Sequence, residues 1–272
     1  TSDVCYTHGM SDRMLIQLIA DYGIGDPSFG EVIQKLTLLD PFLKINKTSV
    51  PAFSTLATGF WTAQFAFVNP IPGMMIYTNT APRKDDKNGR RANEGERLKF
   101  AILDNGVRVV GVNAGFCFSF VKPRIKELYR VNVENKGSQF RSRDFYPEAV
   151  VGIGKGQQSF LGEKTDVSII PDVPKERVAW IDGYGNMKTT SRLSSYKDFH
   201  PGQIVRVTLA GMKRIAYFTD GTFSVREEEL AFAPGSSGGD DRFMELFLRG
   251  LSAWKEFGKP DIESEFRVEK AE

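Results

Sequence analysis

The first half of the chain alternates two kinds of apolar pattern. MLIQLIA (14–20) is a continuous apolar run that reads as a buried strand, and beyond the turn at DYGIGDP the segment FGEVIQKLTLL spaces its apolar residues as a helix does. Ser28, with Glu31 three residues on, has the form of a capping box at the start of that helix. FLKINKTSV (42–50) suggests a second strand, STLATGFWTAQFAFV (54–68) a very apolar second helix, and GMMIYTNT (73–80) a third strand. The charged, glycine-bearing stretch APRKDDKNGRRANEGER (81–97) reads as an exposed loop. LKFAILDNG (98–106) and VRVVGVNAG (107–115) read as strands joined at Asn105-Gly106, a dipeptide that favours tight turns. Strands alternating with helices predict an α/β domain: a mainly parallel sheet with helices on both faces.

After about residue 170 the pattern shortens. PDVPKERVAWIDGYGNMKTT, QIVRVTLAG and KRIAYFTDGTFSV are brief alternating strands separated by Gly, Asp and Pro turns, which predicts a small antiparallel β-barrel. FMELFLRGLSAWKEFG (243–258) reads as an amphipathic helix near the end. The two prolines of SIIPDVPKE (168–176) mark the junction, so the expected domains are 14–170 and 175–272. A length of 272 residues is comfortable for two domains of unequal size.

Charge and composition narrow the function. Lys plus Arg is 36 against 34 Asp plus Glu, with the signs interspersed, which argues against a nucleic-acid or membrane-surface protein. The two cysteines, Cys5 and Cys117, are far apart and without a pairing pattern, so neither a disulfide framework nor a zinc site is expected. The two histidines, His8 and His200, sit in no recognisable motif, which disfavours a Ser-His-Asp or Cys-His mechanism and a His-ligated metal. An enzyme of this composition needs chemistry with little proton shuttling. No apolar run reaches eighteen residues, and TSDVCYTHGMSDR lacks the apolar core of a signal peptide; the expectation is a soluble, cytoplasmic protein.

Three stretches carry candidate chemistry. Gly23-Ile-Gly25 has the start of a dinucleotide loop, but the third glycine is missing and Asp26 stands where pyrophosphate would want a bare helix entrance. Carboxylates such as Asp21 and Asp26 at a strand's end suit hydroxyls or cations; equally, with Ser28, they suit the capping of a turn and a helix. QFRSRDFYPEA (139–149) sets an aromatic and a hydroxyl beside two arginines and an aspartate, or is a solvated charged turn. In WIDGYGNMK (180–188), Asp182 and Asn186 bracket Tyr184: an amide and a ring suited to a nucleobase, or an ordinary hairpin bend.

Taken in order, these pieces resemble the S-adenosylmethionine hydroxide adenosyltransferases and their fluorinase and chlorinase relatives. The resemblance runs through Asp21-Tyr22-Gly23, VPAFSTLATGF, IYTNTAPR with NGRR, Asp104-Asn105-Gly106, and Phe140 with Arg143 and Asp144. It continues in Asp182, Tyr184-Gly185-Asn186 and Ser236-Ser237-Gly238, covering about 14 to 258. It implies attack by a small nucleophile on C5′ of S-adenosylmethionine, releasing methionine without a metal. Asp21 would then accept from the ribose hydroxyls, and Asp26, Ser28, Asp182 and Ser236 would hold the methionine ammonium and carboxylate. Phe53 would pack on the sugar or adenine, Tyr184 with Asn186 would read adenine, and Phe140 is implied among the substrate-binding residues. A homotrimer is also implied, with each ligand between the first domain of one subunit and the second of its neighbour. On the nucleophile side the resemblance implies Ser142, Arg141, Arg90 and Thr80. Some positions depart: where hydroxide-using members carry Asp and His this chain has Ala81 and Arg141, and Ser237 replaces a fluorinase arginine. Water, a small anion, or binding without turnover all remain open. A nicotinamide or flavin oxidoreductase is disfavoured by the missing glycine.

Overall fold

The first three strands and two helices lie where the alternation predicts them: β1 (Leu15–Ala20), α1 (Ser28–Leu39), β2 (Lys44–Ser49), α2 (Thr55–Phe67) and β3 (Met75–Asn79). The computed structural model of the chain describes residues 14–81, 97–134 and 138–271. Four more strands, β4 (Leu98–Leu103), β5 (Arg108–Val112), β6 (Ile125–Val131) and β7 (Leu161–Lys164), complete a seven-stranded sheet in the order β2-β1-β3-β5-β4-β6-β7. The short α3 (Arg141–Asp144) and α4 (Tyr146–Gly154) lie between β6 and β7.

This sheet corrects the expectation of a mainly parallel sheet with helices on both faces. β1 pairs parallel with β2 and β3, and β3 with β5, but β4 runs antiparallel to both β5 and β6, and β6 to β7. The reason is the Asn105-Gly106 turn, with Gly106 at φ 82°. So short a link joins only antiparallel strands, whereas a parallel crossover needs a dozen or more residues. Among the described residues beyond β3 no long helix lies between successive strands, so the βαβ rule that the first elements obey is not seen in the later ones.

The second sheet holds β8 (Val178–Ile181), β9 (Met187–Arg192), β10 (Gln203–Leu209), β11 (Met212–Phe218), β12 (Leu230–Pro234), β13 (Phe243–Leu248) and β14 (Phe266–Lys270), in the order β14-β10-β11-β12-β13-β9-β8. It too is mixed, because β11 and β12 run parallel, so the antiparallel barrel is corrected. The helix expected over 243–258 is instead β13, a tight exit with Gly250 at φ 82°, and the single turn α5 (Ala253–Glu256). Phe243 to Leu246 are all buried between β12 and β9. A strand buried on both faces loses the period of two and mimics a buried helix.

α2 joins the two halves. Nearly its whole surface is buried, against β1 and β3 on one side and β8 on the other, and Trp61 meets Trp180 edge-to-face with ring centroids 5.4 Å apart. A helix apolar all round is covered all round. Gly59 permits a closer approach, since a Cβ there would stand 2.2 Å from the Phe116 carbonyl oxygen. Among the described residues no helix is long and apolar enough to cross a membrane, and no group of three or more His, Cys, Asp or Glu side chains is placed to hold a metal ion.

Candidate functional site

β1 leaves its carboxyl end toward β2 on one side, and the chain later returns to β3 on the other. Such a reversal of strand order opens a crevice beyond the strand ends, the usual ligand position in open sheets with parallel strands. Asp21 stands there. Its Oδ2 accepts the backbone N–H of Phe53 at 2.9 Å and of Ala81 at 3.2 Å, tying the loops after β2 and β3 together. Oδ1 accepts no hydrogen bond among the described residues.

Phe53 follows a turn closed by Ser54 N–H onto the Pro51 carbonyl, and it is held at φ 65°. That left-handed backbone is rare for a bulky residue and concentrates at ligand sites. Ser54 then starts α2: its hydroxyl accepts the Ala57 N–H at 3.3 Å and donates to Glu263 Oε1 at 3.2 Å, so the helix entrance is also a contact between the two sheets.

Behind Asp21 lies a polar relay. Asn79 Nδ2 donates to the Tyr22 hydroxyl at 3.1 Å, and Tyr22 lies 2.6 Å from Ser142 Oγ. Tyr22 thus accepts from Asn79 and shares a hydrogen bond with Ser142 in which either hydroxyl can donate. Burial holds the Tyr22 hydroxyl well above the ordinary tyrosine range, so it stays protonated. Tyr77 fixes α3 by donating to the Ser142 carbonyl at 3.1 Å. Phe140 packs edge-on against Tyr22 at 5.8 Å, and the Arg141 guanidinium stands 5.6 Å from the Tyr146 ring centre. Arg143 pairs with Asp144 at 2.6 Å and Glu31 at 3.3 Å, so these two charges of the 139–149 stretch hold α3 to its surroundings. Thr80 is buried 2.6 Å from Thr58 Oγ1. Beside it burial pushes the Cys117 thiol up to about 12, with the Asp21 charge adding to the effect.

The helix entrance differs from the expected capping box. Pro27 is the N-cap and makes no side-chain cap bond; the Asp26 carboxylate instead accepts the Ser28 N–H at 2.7 Å. Hydrogen bonds from the Ser28 hydroxyl and N–H hold Asp26 below the usual carboxylate range, although it is fully exposed. An Asx turn has displaced the capping box.

In the second half, Asp182 shapes the β8–β9 bend: Oδ1 accepts the Tyr184 and Asn186 N–H groups at 3.0 Å, and Oδ2 accepts Asn186 Nδ2 at 2.9 Å. One of the two Asn186 Nδ2 hydrogens is therefore engaged within the bend. Tyr184 is 84% exposed. Phe53, Asp182 and Tyr184 come together in one chain on a pocket of about 880 Å³ between the two sheets. Ser236 and Ser237 do not line it. Ser237 is buried at the far end of β12, next to Gly238, whose N–H faces Gln64 Oε1 at 3.4 Å. Gln64 lies ten residues, or about 15 Å, along α2 from Ser54. Arg90 lies outside the described residues.

The sequence reading missed two groups of residues. Tyr22 and Asn79 orient Ser142, and a tyrosine inside the Asp21 turn was the available signal. Trp254, Asp261 and Glu263 line the pocket, and the turn-forming Gly258-Lys259-Pro260 next to them pointed to a loop, not to the end of a helix.

No family model matches the chain, and no curated protein matches it. Among solved structures, an uncharacterized conserved protein from Thermotoga maritima superposes with a TM-score of 0.74 at 15% identity, covering 93% of this chain and 99% of that one. A conserved hypothetical protein from Thermus thermophilus gives 0.67 at 17% identity, covering 94% and 100%. At these identities the likeness is one of fold.

Proposed function

We propose that the chain is an S-adenosylmethionine-binding adenosyltransferase. The observation that carries the reading is Asp21: a carboxylate at the strand-order reversal, with one oxygen fixing the Phe53 and Ala81 amides and the other accepting no hydrogen bond among the described residues. Vicinal ribose hydroxyls are donors of the right kind for that oxygen. Phe53 beside it offers a ring for the sugar or the base, and Tyr184 with Asn186 faces adenine. Asp26, Ser28 and Ser236 hold the methionine end, and Asp182, whose oxygens accept three hydrogen bonds within its bend, contributes there through its charge.

In the reaction a nucleophile forms a bond to C5′ while the C5′–S bond breaks and its electron pair stays on sulfur. Methionine leaves as a neutral thioether, which needs no general acid. An anionic nucleophile needs no base, and water would lose its proton to solvent. Alignment and exclusion of water carry such a step, which suits a chain with two histidines. Ser142, Arg141 and Thr80 stand on the nucleophile side. Ser236, exposed away from the pocket of its own chain, is the residue that would meet a neighbour's site in the homotrimer this reading implies, whereas Ser237 is buried within its own chain.

The test is incubation of the purified protein with S-adenosylmethionine and, separately, with chloride, fluoride or no added halide, followed by assay for methionine and for adenosine or a 5′-substituted adenosine. Methionine release is the expected result; its absence under every condition removes the enzyme reading. One observation favours a second reading, a protein that binds the adenosyl group without turnover. Ala81 and Arg141 stand where a carboxylate and an imidazole would orient and deprotonate water, and Ala81 contributes only its backbone N–H to Asp21. Calorimetric binding without product on long incubation selects it.

A further inference from the structure

The half of the interdomain pocket that no sequence motif predicts is built from residues 252–263. Its volume of about 880 Å³ lies in the range of small-molecule sites. Four rings from both sheets line it, Phe53, Trp180, Tyr184 and Trp254, together with the carboxylates Asp261 and Glu263. The third carboxylate, Asp182, is occupied by its own bend. Lys255 is the lysine among the lining residues, so two further acids face one base.

The walls are held before any ligand arrives. Trp254 donates its indole N–H to the Pro260 carbonyl at 2.9 Å and its backbone N–H to the Gly185 carbonyl at 2.8 Å, which locks the segment to the Tyr184 bend. Gly185, at φ 85°, sits so close that a Cβ there would lie 2.0 Å from Ser252 Oγ. Glu263 stands at φ 76°, donates its N–H to the Val178 carbonyl at 2.8 Å and accepts the Ser54 hydroxyl. Two non-glycine residues with left-handed backbone, Phe53 and Glu263, therefore line this pocket, the kind of strain that gathers at ligand clamps.

Electron-rich ring faces combined with carboxylates select positive charge carried on an apolar body. Lys259 already makes one such contact, its ammonium 5.7 Å from the Trp254 ring centre. We propose that the pocket binds a small organic cation, an ammonium, sulfonium or N-alkylated heteroaromatic, with the rings on its body and Glu263 and Asp261 as counter-charge. This inference shares Phe53 and Tyr184 with the adenosyltransferase reading but does not depend on turnover: a chain that cleaves no S-adenosylmethionine can still hold the cation.

The experiment is calorimetric titration of the full chain with 1-methylnicotinamide and with its neutral counterpart nicotinamide. The cation is expected to bind at least tenfold more tightly. Glu263→Gln, which keeps an oxygen for Ser54, and Trp254→Phe, which keeps the ring packing, should each weaken the cation at least threefold while the far-ultraviolet circular dichroism stays that of the wild type. If Glu263→Gln does not fold, Asp261→Asn takes its place. Equal binding of the two probes, binding of neither, or folded variants that bind like the wild type would each overturn the proposal. Methionine release with no binding of 1-methylnicotinamide would keep the adenosyltransferase reading and remove this one.

Discussion

The Asp21 carboxylate accepts the Phe53 backbone N–H at 2.9 Å, joining the end of β1 to a phenylalanine held at φ 65°. One side chain thus sets both the polar and the aromatic part of the candidate site. Asp21→Asn keeps the shape but removes the charge. It is expected to weaken adenosine or S-adenosylmethionine binding by about 1–3 kcal/mol, the loss of a charge-assisted hydrogen bond. Calorimetry checks this, and unchanged affinity would show that the ribose assignment is wrong.

Tyr22→Phe removes the hydroxyl that accepts from Asn79 and is hydrogen-bonded to Ser142. Ser142 is buried, so its oxygen loses a partner that water does not readily replace. The expected loss of stability is about 1–3 kcal/mol in urea unfolding. A variant as stable as the wild type means that the two hydroxyls are not coupled.

Gly59→Ala reverses an ordinary rule. Alanine in a helix interior is favoured over glycine by about 1 kcal/mol. Here its methyl would press on the Phe116 carbonyl oxygen at 2.2 Å and the Phe120 ring at 2.9 Å. A net loss of about 1–3 kcal/mol is expected from this overpacking. A rise in melting temperature would show that α2 is not seated so closely.

Asp26 titrates below the ordinary carboxylate value because of its two hydrogen bonds from Ser28. A depressed folded pKa contributes stability that is present above the unfolded value and lost as pH falls through the folded one. Ser28→Ala removes the hydroxyl and keeps the N–H, so the Asp26 pKa should move up only part of the way. Carboxyl-carbon NMR titration of the two proteins reads this directly. No upward movement would mean that the hydroxyl makes no such bond.

Much of the local structure was legible from spacing alone. The capped apolar helix α2, the strands β1 to β3 and the Asn105-Gly106 turn all follow from residue order, because burial pattern and turn chemistry are properties of a few neighbouring residues. The capping box at Ser28 failed at the same scale. Asp26, two residues before, competes for the same N–H, and the motif does not say which partner is nearer.

The sequence by itself determined where most strands and helices begin, that Asn105-Gly106 turns tightly, and that Asp21 follows a buried strand. Tertiary structure decided which strands are neighbours and in which direction, so that both sheets are mixed and FMELFL is a strand buried between two others. It also decided that Asp21 reaches Phe53 and Ala81, that Tyr22 reaches Ser142, and that Trp254, Glu263 and Phe53 line one pocket. The physical reason is range. Periodicity records whether a position is covered, whereas strand pairing and side-chain hydrogen bonds depend on what covers it, which here comes from residues up to 209 positions away, as Ser54 and Glu263 show.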